Sequence, residues 1–123
     1  MRKSSSKPRD FGNVERFVEP CILLLLSKNS SHGYGLMGGL EKHCGENVDI
    51  GNLYRTLRKM ENVGWVKSVW EKGSIGPDKR KYEITKQGKL SLKGACTDLK
   101  RTQSLITHFF AGYKKVFREE AYR

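Results

Sequence analysis

The stretch from Asp49 to Gly64 marks both of its own ends, and that constrains the fold more than any other feature of the chain. An aspartate can accept hydrogen bonds from the first free amides of a helix, and a glycine can adopt the left-handed conformation that closes one. The spacing therefore predicts a helix from Asp49 to Val63, with Trp65 placed to pack back onto Met60. At about 100° per residue, Ile50, Leu53, Leu57 and Met60 fall on one side. Gly51, Arg55, Arg58, Lys59 and Asn62 fall on the other, and Tyr54 stands at the border. Such a helix buries one face in a core and offers cations on the opposite one.

The flanking segments supply that core. Val14, Phe17, Val18, Cys21, Ile22 and Leu25 recur at helical spacing over residues 14–27, with Pro20 marking either a bend or the start of the regular part. Asn29, Ser30 and Ser31 form a turn with candidate N-caps before a second, short helix built on Tyr34, Leu36, Met37 and Leu40. Gly35, Gly38 and Gly39 each cost that helix about 1 kcal/mol relative to alanine, so close packing against a neighbour must hold it.

Beyond Trp65, the alternation in Val66–Glu71 and again in Lys79–Ile84 predicts two strands. Gly73, Gly76 and Pro77 lie between them, so the strands should form a hairpin with a long loop, and Trp65 and Trp70 should anchor it on the helices. Thr85 can cap a last helix reaching to about residue 118, roughly 50 Å long. Its heptad positions are Leu92, Ala95, Leu99, Thr102, Ile106, Phe109, Tyr113 and Val116, a seam longer than a small domain can cover. A second copy of the chain is the economical partner.

The order of elements gives a mainly α fold with a small β-hairpin: a winged helix-turn-helix over residues 14–85 and a dimerisation helix over 86–123. Residues 1–13 carry four bases and one acid with Ser4–Ser6 and Pro8, the composition of a basic flexible arm. The whole chain has 24 Lys and Arg against 13 Asp and Glu, a net charge of +11, which points to a polyanionic partner. The charge is segregated: residues 14–54 hold three bases and five acids, residues 55–81 eight and three. That asymmetry favours one binding face over general solvation.

Several function classes fall away at this point. The longest apolar run, Cys21–Leu26, has six residues where a bilayer needs about 20, and the basic N-terminus lacks the apolar stretch of a secretory signal, so the cytoplasm is expected. Three cysteines with no close spacing do not make a disulfide framework. Cys21, Cys44, Cys96, His32, His43 and His108 show no recognised metal-ligand spacing, and buried thiols with ordinary histidines are the preferred reading. No cofactor is expected, and neither a nucleophile with its base nor a phosphate loop suggests an enzyme.

The third helix is the candidate reader. Arg55, Arg58 and Lys59 can pair with phosphates or guanine edges, and Gly51 lets a backbone approach closely. The helix N-terminus offers free N–H groups to a phosphate. Lys72, Lys79, Arg80 and Lys81 place further charge on the wing. Phe109, Phe110, Tyr113 and Phe117 are read as dimer core, with room for a pocket where Thr102 or Gly112 loosens the seam.

Ser31-His32-Gly33-Tyr34, then Asp49 through Glu61, then Trp70-Glu71 and Gly76-Pro77 through Tyr82-Glu83-Ile84-Thr85, resemble the PadR family of transcriptional regulators over about residues 31–88. The single terminal helix is similar to the family's shorter branch. Lys81 departs from it, standing where many members have the first of two wing tyrosines. The resemblance implies a bacterial or archaeal dimeric regulator, usually a repressor, whose C-terminal helix pairs across the dimer. Gly51, Asn52, Arg55, Arg58 and Lys59 are expected to meet a palindromic operator in double-stranded DNA, the resemblance favouring that role over a solvated face for Arg55, Arg58 and Lys59, while Tyr54 is expected either to bond phosphate, the preferred reading, or to buttress the core. Some members bind aromatic or drug-like effectors between the dimer helices, so a small-molecule effector is a further expected partner. The competing reading is a winged-helix interaction module for protein or RNA.

Overall fold

In the computed structural model, which describes residues 17–73 and 79–118, the element order is α1 (Val18–Lys28), β1 (Ser31–His32), α2 (Gly33–Cys44), α3 (Ile50–Asn62), β2 (Val66–Glu71), β3 (Lys79–Ile84) and α4 (Lys86–Val116). The expected basic arm, Val14 and the glycine–proline turn of the wing loop lie outside the described residues.

The first helix begins later than its periodicity suggested, at Val18, and Pro20 sits in its first turn. Amides there have no carbonyl to pair with inside the helix, so a residue without an N–H costs nothing and no bend is needed. Cys21, Ile22, Leu23 and Leu26 turn inward to meet Leu36 and Leu40 of α2 and Leu53, Leu57 and Met60 of α3. Val66 and Tyr82 close the core from the sheet. Each fully buried leucine contributes about 1.5–3 kcal/mol by leaving water.

Both marked ends of α3 form as the sequence indicates. The Asp49 carboxylate accepts the Asn52 amide at 2.8 Å. At the other end Gly64 adopts φ +87°, its amide donates to Glu61 O at 3.0 Å, and the Trp65 amide donates to Met60 O at 2.9 Å. These two bonds satisfy carbonyls that the helix would otherwise leave bare, and they aim the chain straight into β2.

The sheet has three strands, not a hairpin alone. The order is β1-β3-β2, all antiparallel, with Ser31 opposite Tyr82, His32 opposite Lys81 and Ser68 opposite Tyr82. The segment read as a capping turn is β1 itself, and α2 then starts from His32 without a side-chain cap. Two residues are too few to show strand alternation, which is why the third strand was not visible in the sequence. Trp65 packs on the core as expected, but Trp70 does not: it is 65% exposed. Tyr34, expected inside α2's apolar face, is exposed as well.

Candidate nucleic-acid interface

The outward face of α3 is organised from its N-cap. Asp49 holds the Asn52 backbone amide with Oδ1 and the Asn52 side-chain amide with Oδ2, the latter at 2.7 Å. The Asn52 carbonyl oxygen accepts in turn from the Arg55 guanidinium. This Asp49–Asn52–Arg55 relay fixes the arginine on the surface before any ligand arrives, since each partner is three residues along the helix from the last. Arg58 and Lys59, one turn on, are exposed and form no ion pair among the described residues. Gly51 is exposed beside the cap. The structure thus brings Gly51, Asn52, Arg55, Arg58 and Lys59 together on one accessible surface.

Tyr54, at the border of the same helix, is half-buried where its neighbours on that surface are exposed. Its ring is half-buried against the first residue of α2: a methyl group on Gly33 would lie 2.5 Å from the Tyr54 Oη and 2.7 Å from Cζ. Only glycine leaves room for that ring. Tyr54 therefore buttresses the α2–α3 junction, and the motif Ser31-His32-Gly33-Tyr34 acquires a reason that the sequence did not disclose.

The wing cations separate into two groups. Arg80 donates through Nε to Ser68 Oγ at 2.9 Å, lies 3.9 Å from Glu61 Oε1 and rests 5.4 Å over the Trp70 ring. The Ser68 hydroxyl in turn donates to Glu61 Oε2 at 2.8 Å, so a carboxylate of α3 and a guanidinium of β3 are joined through a strand hydroxyl. Lys81 donates to Glu71 Oε2 at 3.0 Å, and His32 Nε2 meets the other oxygen of Glu71 at 2.8 Å. Lys72 and Lys79 are exposed and form no ion pair among the described residues. The contacts of Glu61, Ser68, His32 and Glu71 are not legible in the sequence, because their partners lie across strand and turn connections that no fixed spacing announces.

The Glu71 carboxyl is held below its ordinary value, first by the bond from Lys81 and then by that from His32. A lowered folded-state value stabilises the fold above the ordinary carboxylate range, and the contribution is lost as pH falls through that lowered value. Acid titration of the parent beside Glu71→Gln is expected to show the parent losing stability more steeply as pH falls below the ordinary carboxylate range, with the two converging in stronger acid. Parallel curves would show that the His32–Glu71–Lys81 contact does not form. Elsewhere, burial and the neighbouring Cys44 push the Cys21 thiol up to about 12, the state of a packed, unreactive sulfur.

Of the expected dimerisation residues, Leu92, Ala95 and Leu99 are half-buried near α1, whereas Ile106, Phe109, Tyr113 and Val116 stand exposed along the outer half of α4. Phe109, Tyr113 and Phe117 stack in sequence, with centroids 6.3 and 4.7 Å apart. A groove of about 820 Å³ runs between α1 and α4, with Cys21, Leu24, Leu92 and Leu99 among its lining.

A family model described as the transcriptional regulator PadR-like family matches residues 22–94. The chain belongs to that family. The match runs from within α1 through the first turns of α4, so the sheet and α3 both lie inside it. A Mycobacterium tuberculosis protein named "Probable transcriptional regulator" is 34% identical over 73 residues, covering 58% of this chain and 39% of that protein, so the chain spans well under half of that relative's length. Among solved structures, the PadR-like transcriptional regulator of Bacillus cereus is 26% identical with a TM-score of 0.67, covering 76% of this chain and 90% of that one. Bacillus subtilis PadR in complex with operator DNA shares the fold at a TM-score of 0.62 and 22% identity, over 68% of this chain and 48% of that one.

Proposed function

We propose that this chain is a homodimeric, sequence-specific DNA-binding repressor that reads a palindromic operator and is released by a small-molecule effector. The single observation that carries the reading is the α3 surface: Arg55 held ready by Asn52, with Arg58 and Lys59 exposed and free of ion pairs among the described residues. A helix that presents guanidinium groups free of direct ion pairs is suited to phosphates and guanine edges. Bacillus subtilis PadR, of the same fold, has been crystallised on operator DNA, which supports the same partner here.

In this reading residues 14–85 bind DNA, residues 86–123 pair two protomers, and residues 1–13 form a basic arm. Two copies of α3 then meet successive major-groove faces about 34 Å apart. Lys72 and Lys79 contact phosphate from the wing, while Arg80 and Lys81 add charge already shared with Glu61 and Glu71. The exposed Ile106, Phe109, Tyr113 and Val116 support the pairing role, and the groove between α1 and α4 offers an effector room. Among the described residues no helix is long and apolar enough to cross a membrane; in this reading the chain acts on DNA in the cytoplasm.

The test is selection of bound duplexes from random DNA followed by affinity measurements on the winning site. Arg55→Ala and Arg58→Ala are each expected to lose about 1–3 kcal/mol and to relax choice at one base position in each half-site. If both variants bind like the parent, α3 is not the reader.

A further inference from the structure

The reading surface leaves most of the charge of α4 unexplained. From Lys86 to Arg118 the chain carries eight cations and one carboxylate, Asp98, and none of the nine is in an ion pair among the described residues. At about 100° per residue, Lys86, Lys89, Lys93, Lys100 and Lys114 fall within one arc of about 80° on α4, and Arg118 follows just past the end of the helix. All six are exposed. The arc runs beside the apolar seam over a length of about 46 Å.

Ordinary solvated helices intersperse opposite charges at intervals of three and four residues. Between Lys86 and Arg118 those intervals join like charges, in Lys86 with Lys89, Lys89 with Lys93, Lys114 with Arg118 and Lys115 with Arg118, and within that span only Asp98 with Arg101 joins unlike ones. Lys89, Lys93 and Lys100 border the groove towards α1, whose contribution to that groove is Phe17, Pro20, Cys21 and Leu24, with no carboxylate among them. Among the described residues neither α4 nor the facing wall pairs a carboxylate with the stripe.

The chemistry of the arc selects among polyanions. The residues between its cations are Cys96, Ser104, Thr107 and Ala111. None is an aromatic or large aliphatic group that could enter a lipid surface, and none offers a ring on which an unpaired base could stack. What is left is a row of ammonium and guanidinium groups, suited to a duplex backbone read without regard to sequence. Its position then decides which duplex. The Thr85 hydroxyl lies 2.6 Å from Gly64 O and 3.0 Å from Trp65 O, so α4 springs from the end of α3 remote from Asp49 and the groove-entering residues.

We propose that this cationic stripe holds a second segment of double-stranded DNA by its phosphates, so that one dimer bound to its operator can bridge to another duplex. The inference rests on the operator-binding reading above, and the experiment separates the two. Operator duplex is tethered to beads and saturated with the full chain, and a labelled duplex of unrelated sequence is added at about 50 mM salt. The parent is expected to capture the label and to release it as salt is raised to about 200 mM. A variant with Lys86, Lys93, Lys114 and Arg118 replaced by glutamine should bind operator within about twofold of the parent yet capture at least tenfold less label; these four side chains are exposed, and glutamine is a good helix former. Equal capture by variant and parent, or a parent that binds operator but captures no second duplex, overturns the bridge and leaves the operator reading standing. A parent that binds neither duplex overturns both.

Discussion

Replacing Gly88 by alanine is expected to cost about 3 kcal/mol of stability, the upper end of what forcing an extra carbon into a packed site usually costs. Gly88 is the one buried residue of α4 among those described. A methyl group there would overlap the Trp65 carbonyl oxygen and stand 2.8 Å from Ile84 Cγ1. The first obstacle is backbone, pinned by the bond that Trp65 O accepts from the Thr85 amide at 3.0 Å, so it cannot swing aside as a side chain would. The Gly88 amide also completes the cap by donating to the Thr85 hydroxyl at 3.0 Å. Gly94→Ala, on the same helix with nothing within 4 Å of the new carbon, is the matched control and should gain up to about 1 kcal/mol. Denaturant unfolding of the three proteins checks both signs. A Gly88→Ala midpoint equal to that of the parent would mean that α4 is not seated on the turn after α3.

Gly88 also shows where the sequence was and was not legible. A helix beginning after Thr85 could be read from the cap and the heptads that follow, because capping and periodicity are local and leave their mark within a few residues. That its third residue must be glycine could not, because the reason is a carbonyl more than twenty positions back in the chain. The same division holds at α3. Its ends, its apolar face and its cationic face all follow from residues within one helix, and all formed as expected. The fit of Tyr54 over Gly33 depends on how two helices meet.

Burial on the wing failed for a related reason. Alternation in Val66–Glu71 correctly indicated a strand, but it cannot say where the body of the domain stops. The helices cover only the base of the hairpin: Val66 and Tyr82 are buried, and Trp70 lies beyond their reach, stacked under Arg80 instead. The glycines of α2 divide similarly. A methyl on Gly39 would press on Leu25 at 3.1 Å, as close packing requires, whereas one on Gly38 would meet open space.

The largest expected effect concerns salt. If α3 and the wing act as proposed, Arg55, Arg58, Lys59, Lys72 and Lys79 bring about ten cations to one operator in a dimer, each displacing counterions condensed on the duplex. Operator affinity measured with the duplex in limiting amount should then fall by about 10³- to 10⁵-fold between roughly 50 and 200 mM salt. Limiting duplex matters, because the stripe on α4 would add its own dependence once a second segment is available. The cations can be sorted by the shape of the loss. Lys59→Ala should weaken operator and unrelated DNA alike and reduce the slope of the log–log salt plot by about one for each phosphate given up, hence about two per dimer. Arg55→Ala should change the preferred sequence as well, because the Asp49–Asn52 relay aims its guanidinium at a fixed place where a base edge can be met. An operator affinity indifferent to salt would remove the phosphate-binding role from α3 and the wing together.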